Sequence, residues 1–124
     1  MANILVAETR VYGKAKNIDA FLDVLKEHLY FTEVGYSTDF HGNVVERDLQ
    51  AEFRWNIEGT LTKPEILEAT KKYHIGIEAM GYEPGMGFYE IVSVKFGVVL
   101  DSQAFDINYH SAYFDPNEAN INEK

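Results

Sequence analysis

A chain of 124 residues, 46% hydrophobic, with eight Phe, eight Tyr and one Trp, can bury the core of one domain and has no length for a second. It contains no cysteine, which excludes disulfides, thiolate zinc sites and cysteine nucleophiles together. Twenty acidic residues against 11 basic give a net charge of −9, a field that repels phosphate backbones and anionic membranes and so disfavours direct binding to either.

Asn3 to Gly13 predicts a first strand, opening with the apolar run Ile4-Leu5-Val6-Ala7 and continuing with Glu8, Arg10 and Tyr12 alternating against Thr9 and Val11. Asn17 is placed to cap a helix reaching Tyr30, along which Ile18, Phe21, Leu22, Leu25 and Leu29 form one apolar stripe. Tyr30 to Phe40 is β-prone, and His41-Gly42-Asn43 suits a hairpin connection. From Asp48 to Ile57 the alternation is unbroken. Asp48, Gln50, Glu52, Arg54 and Asn56 take the wet side, and Leu49, Ala51, Phe53, Trp55 and Ile57 the packed side, which predicts a buried Trp55. Gly59 ends this strand. Thr62 and Glu65 then predict a capping box, with Pro64 in the first turn of a helix to about His74.

Gly76 to Tyr82 alternates loosely and leads into the corner Gly81-Tyr82-Glu83-Pro84-Gly85-Met86-Gly87-Phe88, where Pro84 and Gly85 suit the central positions of a type II turn. Phe88 to Leu100 is apolar on both pleat faces and predicts one long strand covered twice. Asp101-Ser102-Gln103 predicts a turn and Ala104 to Phe114 a return strand, forming a C-terminal hairpin; Asn117 to Lys124 predicts a frayed polar tail. Residues 1–116 thus make one domain and 117–124 a tail. No basic and apolar leader opens the chain, and runs such as Ile4 to Ala7 are too short to cross a bilayer, so a cytoplasmic protein is the expectation.

Strand, helix, strand, strand, helix, strand is the ferredoxin-like split βαβ order: an α+β fold with an antiparallel sheet, two helices on one face and here an added C-terminal β-hairpin. Ala2-Asn3, Gly13, the Phe53-x-Trp55 pair, the Pro64 helix start and above all Tyr82-Glu83-Pro84-Gly85-Met86-Gly87-Phe88 carry something more specific. On these residues the chain resembles the YubB-type ferredoxin-like domain over Met1 to Leu100. That family is found on plasmids and in phages, and what it does is not established. The resemblance implies the fold and a mobile-element setting inside a host cell, and supplies no catalytic residue to transfer.

Of the four histidines, none has the spacing of a metal-binding helix or stands beside a serine elbow. His28 and His74 fall at helix C-termini, and Asp39-x-His41 lacks a third ligand for zinc. His110, among Asp106, Tyr109, Tyr113, Phe114 and Asp115, is the one histidine in a setting of carboxylates and aromatics. No spacing among Glu46, Asp48, Glu52, Glu78, Glu83 and Glu90 selects a pair for acid–base work. The glycine corner leads into a strand, whereas a phosphate cradle opens a helix. No cofactor is implied.

The reading that follows is a non-enzymatic phage or mobile-element protein that binds and inhibits a host nucleic-acid-handling defence protein, of anti-CRISPR or anti-restriction type. Its carboxylates stand where that partner expects phosphates. Glu46, Asp48, Gln50, Glu52, Glu83, Asp106 and His110 form the partner-binding set. A homodimer, or the C-terminal hairpin folded back, covers the second face of the sheet. The alternatives are a protein that sequesters a small molecule or nucleotide, and an enzyme.

Overall fold

In the computed structural model, which describes residues 4–83 and 87–106, the alternating segments become a sheet with one dry face and one face that the described residues leave open. The elements are β1 (Ile4–Tyr12), α1 (Ala15–Leu25), β2 (Tyr30–Thr38), β3 (Val44–Arg54), α2 (Ile57–Leu61), α3 (Pro64–Lys72), β4 (Gly76–Glu83), β5 (Phe88–Lys95) and β6 (Val98–Asp106). The strands lie in the order β2-β3-β1-β4-β5-β6, antiparallel at every step. The protein is therefore α+β with a six-stranded antiparallel sheet.

Period 2 fixes which side of each strand is dry. Leu5, Ala7 and Thr9 of β1 stand opposite Phe53, Ala51 and Leu49 of β3, and all six are buried, as are Ile77 and Ala79 of β4 and Val92 and Val94 of β5. The helices cover this face with Ile18, Phe21, Leu22 and Leu25 from α1, Ile57 and Leu61 from α2, and Ile66 and Ala69 from α3. Gly81 lies in the same layer with no room for a side chain: a Cβ there would sit 2.3 Å from Leu5 Cδ2 and 2.9 Å from the Val6 carbonyl.

Several boundaries differ from expectation. α1 starts at Ala15 after Lys14, so Asn17 sits in the first turn instead of capping it, and the helix ends at Leu25 instead of Tyr30. The expected strand from Phe88 to Leu100 is two strands, because Phe96 (φ 51°) and Gly97 (φ 83°) supply the pair of positive φ values that a two-residue type I′ turn requires. α3 fastens that turn: the Gly97 N–H donates to Thr70 Oγ1 at 2.8 Å, and the Thr70 hydroxyl donates to the Leu67 carbonyl at 2.8 Å. Asp101-Ser102-Gln103 consequently lies inside β6. The Pro84-Gly85 corner, the return strand beyond Asp106 and the polar tail lie outside the described residues.

Trp55 is the largest correction. β3 ends at Arg54, and Trp55 takes φ 72° with 49% of its surface exposed, so the indole leaves the core side of the strand. The Asn56 N–H donates to the Arg54 carbonyl across it at 2.9 Å, a positive-φ γ-turn of the rare, strained kind. A short helix that the alternation hid then begins. Asn56 caps α2 by accepting from the Gly59 N–H at 2.7 Å, and Ile57 reaches the core as a helical residue. Thr62, expected to open the second helix, closes α2 by donating to the Glu58 carbonyl at 2.6 Å; Lys63 precedes α3, whose Pro64 is at its start.

One buried carboxylate holds this junction. Glu90 of β5, 3% exposed, accepts from the Ile57 N–H at 2.6 Å and the Glu58 N–H at 2.9 Å. It satisfies donors that the first turn of α2 cannot pair internally.

Candidate functional site

Residues left on the open face fall into rows by strand register. At one end Glu52, Val6, Tyr82, Tyr89 and Phe105 stand side by side; next come Gln50, Glu8, Met80, Ile91 and Gln103. Asp48, Arg10, Glu78, Ser93 and Asp101 follow, and Glu46, Tyr12, Gly76 and Lys95 make the last row. The face therefore has an apolar, aromatic end and an acidic end. Val6 (45%) and Phe105 (48%) are exposed at the first. Beside Val6 lies a shallow hollow of about 560 Å³ bounded by Val6, Glu8, Val34, Gln50, Met80 and Tyr89.

The acidic end is a coupled network. Arg10 pairs in register with Asp48 on one side and Glu78 on the other. The Tyr12 hydroxyl donates to Glu78 Oε1 at 2.6 Å. Partial burial, then that bond to a carboxylate, push Tyr12 up to about 12. Arg10 is raised by hydrogen bonding to Tyr12 and by the charges of Glu46 and Asp48. Glu46 is raised by its hydrogen bond with Asp48, by desolvation and by the Asp48 charge, so Glu46 holds a proton more readily than a lone glutamate does. Gly35, opposite Asp48, leaves space for it: a Cβ at Gly35 would lie 3.2 Å from Asp48 Oδ2.

Glu46, Asp48, Gln50 and Glu52 thus share the open face of β3 with one another and with Glu8, Arg10, Tyr12 and Glu78, which sequence alone did not join to them. The signal for Glu8, Arg10 and Tyr12 was present in the alternation of β1; the register that sets them beside β3 was not. Glu83 and Asp106 both pair with Phe88, beyond the aromatic row and at the far end from Glu46. His110 lies outside the described residues. His41 occupies the hairpin turn, where its N–H and that of Asn43 donate to Asp39 Oδ1, both at 2.9 Å, so Asp39 is committed to the turn. Among the described residues no group of three or more His, Asp or Glu is placed to hold a metal ion, and no helix is long and apolar enough to cross a membrane. No protein-family model matches the chain, and neither a curated protein nor a solved structure matches it.

Proposed function

We propose that this chain is a ferredoxin-like binding protein of mobile-element type whose open sheet face docks a host nucleic-acid-handling defence protein and blocks it. The observation that carries the reading is the face that the described residues leave open, acidic at one end and aromatic at the other. The order β2-β3-β1-β4 of the first four strands, with helices in both crossovers, supports the ferredoxin-like assignment; the YubB-type setting rests on the sequence resemblance alone.

Charge spacing decides how such a surface works. Alternate residues along β3 are ~6.7 Å apart, whereas a DNA duplex presents one charge per ~1.7 Å of axis. The carboxylate rows are therefore a sparse imitation of a phosphate backbone. They steer a basic partner and fix its register, while Val6, Met80, Tyr89 and Phe105 supply the apolar contact that sparse charge cannot.

The test is capture of partners from a host extract, compared with a Glu8→Lys/Glu52→Lys variant. Both positions are exposed, so reversal leaves the core intact; Asp48 is half-buried beside Arg10 and Gly35 and is a poorer choice. The expected result is retention of a nucleic-acid-binding protein, weakened by salt and lost with the folded variant. Undiminished capture by that variant removes the open face from the reading. A homodimer through the same face is the competing occupant, and sedimentation of the isolated chain at high micromolar concentration separates the two.

A further inference from the structure

The junction between β3 and α2 forms a second site, separate in position and chemistry from the acidic end of the open face. A cleft of about 690 Å³ opens there, lined by Trp55, Tyr30, Arg54, Lys63, His28 and Glu52 among others. That volume lies in the range of small-molecule sites. We infer that the cleft binds a mononucleotide, the base stacked on the Trp55 indole and the phosphate held by Arg54 and Lys63.

Three observations converge on it. Trp55 is the single tryptophan of the chain, and its ring makes no aromatic or cation–π contact with a described residue. Its φ of 72° is sparsely populated for any residue with a side chain. The Asn56 cap, the Glu90 bonds to Ile57 and Glu58 and the bond from Asn56 to Arg54 hold it in place, so the fold sustains strain to present an aromatic face to solvent. Arg54 and Lys63 enter no ion pair with a described residue, although the chain carries 20 carboxylates that could pair with them. Two cations and an indole that no described residue engages match an aromatic ring that carries an anion, since base stacking and phosphate contact are the two terms such a ligand offers.

Charge chooses between a mononucleotide and a longer strand. One phosphate brings a charge of about −1.5 to −2, which Arg54 and Lys63 neutralise locally. A polynucleotide would run its further phosphates along a chain of net charge −9. Glu52, the only carboxylate among the described lining residues, would accept from a ribose hydroxyl.

Because Trp55 is the sole indole, its fluorescence, excited selectively, reads the site directly. AMP is the probe. Saturable quenching by AMP is expected, with adenosine and inorganic phosphate each at least about tenfold weaker. An Arg54→Ala/Lys63→Ala variant should lose about tenfold or more, while Glu8→Lys, on the open face outside the cleft lining, leaves AMP binding unchanged. Calorimetry of Trp55→Ala should show no AMP heat, with circular dichroism verifying its fold. Absence of saturable quenching in the low millimolar range, or quenching unaltered by the double variant, overturns the site. Tighter binding of an oligothymidylate than of AMP overturns the mononucleotide in favour of a single strand.

Discussion

Replacing Trp55 separately by Ala and by Gly isolates the backbone conformation from the side chain. Both variants lose the same indole. A buried aromatic removes ~150–250 Å² from water, and Trp55 is 49% exposed, so about 100 Å² is at stake, or ~2.5 kcal/mol as an upper figure. A core tryptophan would cost ~3–5 kcal/mol. The two variants then differ at φ 72°. A Cβ in the left-handed region costs ~1–2 kcal/mol, which Gly relieves while losing ~0.5–1 kcal/mol to its looser unfolded chain. Gly should therefore be the more stable by ~0.5–1 kcal/mol, a difference in Tm of about 2–4 °C. In a regular strand the order is the opposite, so the sign alone is diagnostic. Urea unfolding followed by far-UV circular dichroism measures it without the indole. An Ala variant equal to or more stable than the Gly variant refutes the strained γ-turn.

Glu90→Ala leaves the buried Ile57 N–H without a partner and removes a charge from the start of α2, so a loss of ~2–4 kcal/mol in urea unfolding is expected. Glu90→Gln, which keeps one accepting oxygen, should lose about half as much; a loss below ~0.5 kcal/mol for Ala would show that water replaces the carboxylate. Tyr12, at about 12 in the folded chain against ~10 unfolded, binds its proton more tightly when folded. The stability it contributes is fully present below pH ~10 and is lost as pH rises through about 12. Ultraviolet titration of tyrosinate should show one late-titrating group that disappears in Tyr12→Phe, and an unchanged titration curve would sink the bond to Glu78.

One-sided burial made much of this fold legible. β1 and β3 alternate cleanly because helices dry one face and water keeps the other polar, and the wet row Asp48, Gln50, Glu52 was readable for the same reason. Trp55 defeated the pattern because periodicity assumes an unchanged backbone, and a single positive φ sends the next side chain elsewhere. The cap at Asn56 was visible as a residue type, but Asn56 also fitted the strand it follows. Thr62 had the chemistry of both a helix end and a helix start; the geometry of α2 decided between them. Phe96-Gly97 lacks the Asn or Asp that usually marks a type I′ turn, and β6 is exposed enough at Val98 and Leu100 for its hairpin to look like one apolar strand. The network of Arg10, Tyr12 and Glu78 depends on register between strands far apart in sequence, which no local pattern encodes.

Sheet order also determines the sequence of events during synthesis. β1 leaves the ribosome before β3 and β4, yet it lies between them. Its Val6 must wait for Glu52 on one edge and for Tyr82 on the other. Until β4 emerges, the nascent chain can complete only β2-β3-β1 under α1, with the second edge of β1 unpaired and Leu5 and Ala7 covered on one flank. Long-range closure of this kind is slow, and an open strand edge invites pairing with another chain. Glu8 and Arg10, spaced along that edge, carry the charges that discourage such pairing. The same residues that line the open face of the finished sheet thus guard the half-built one.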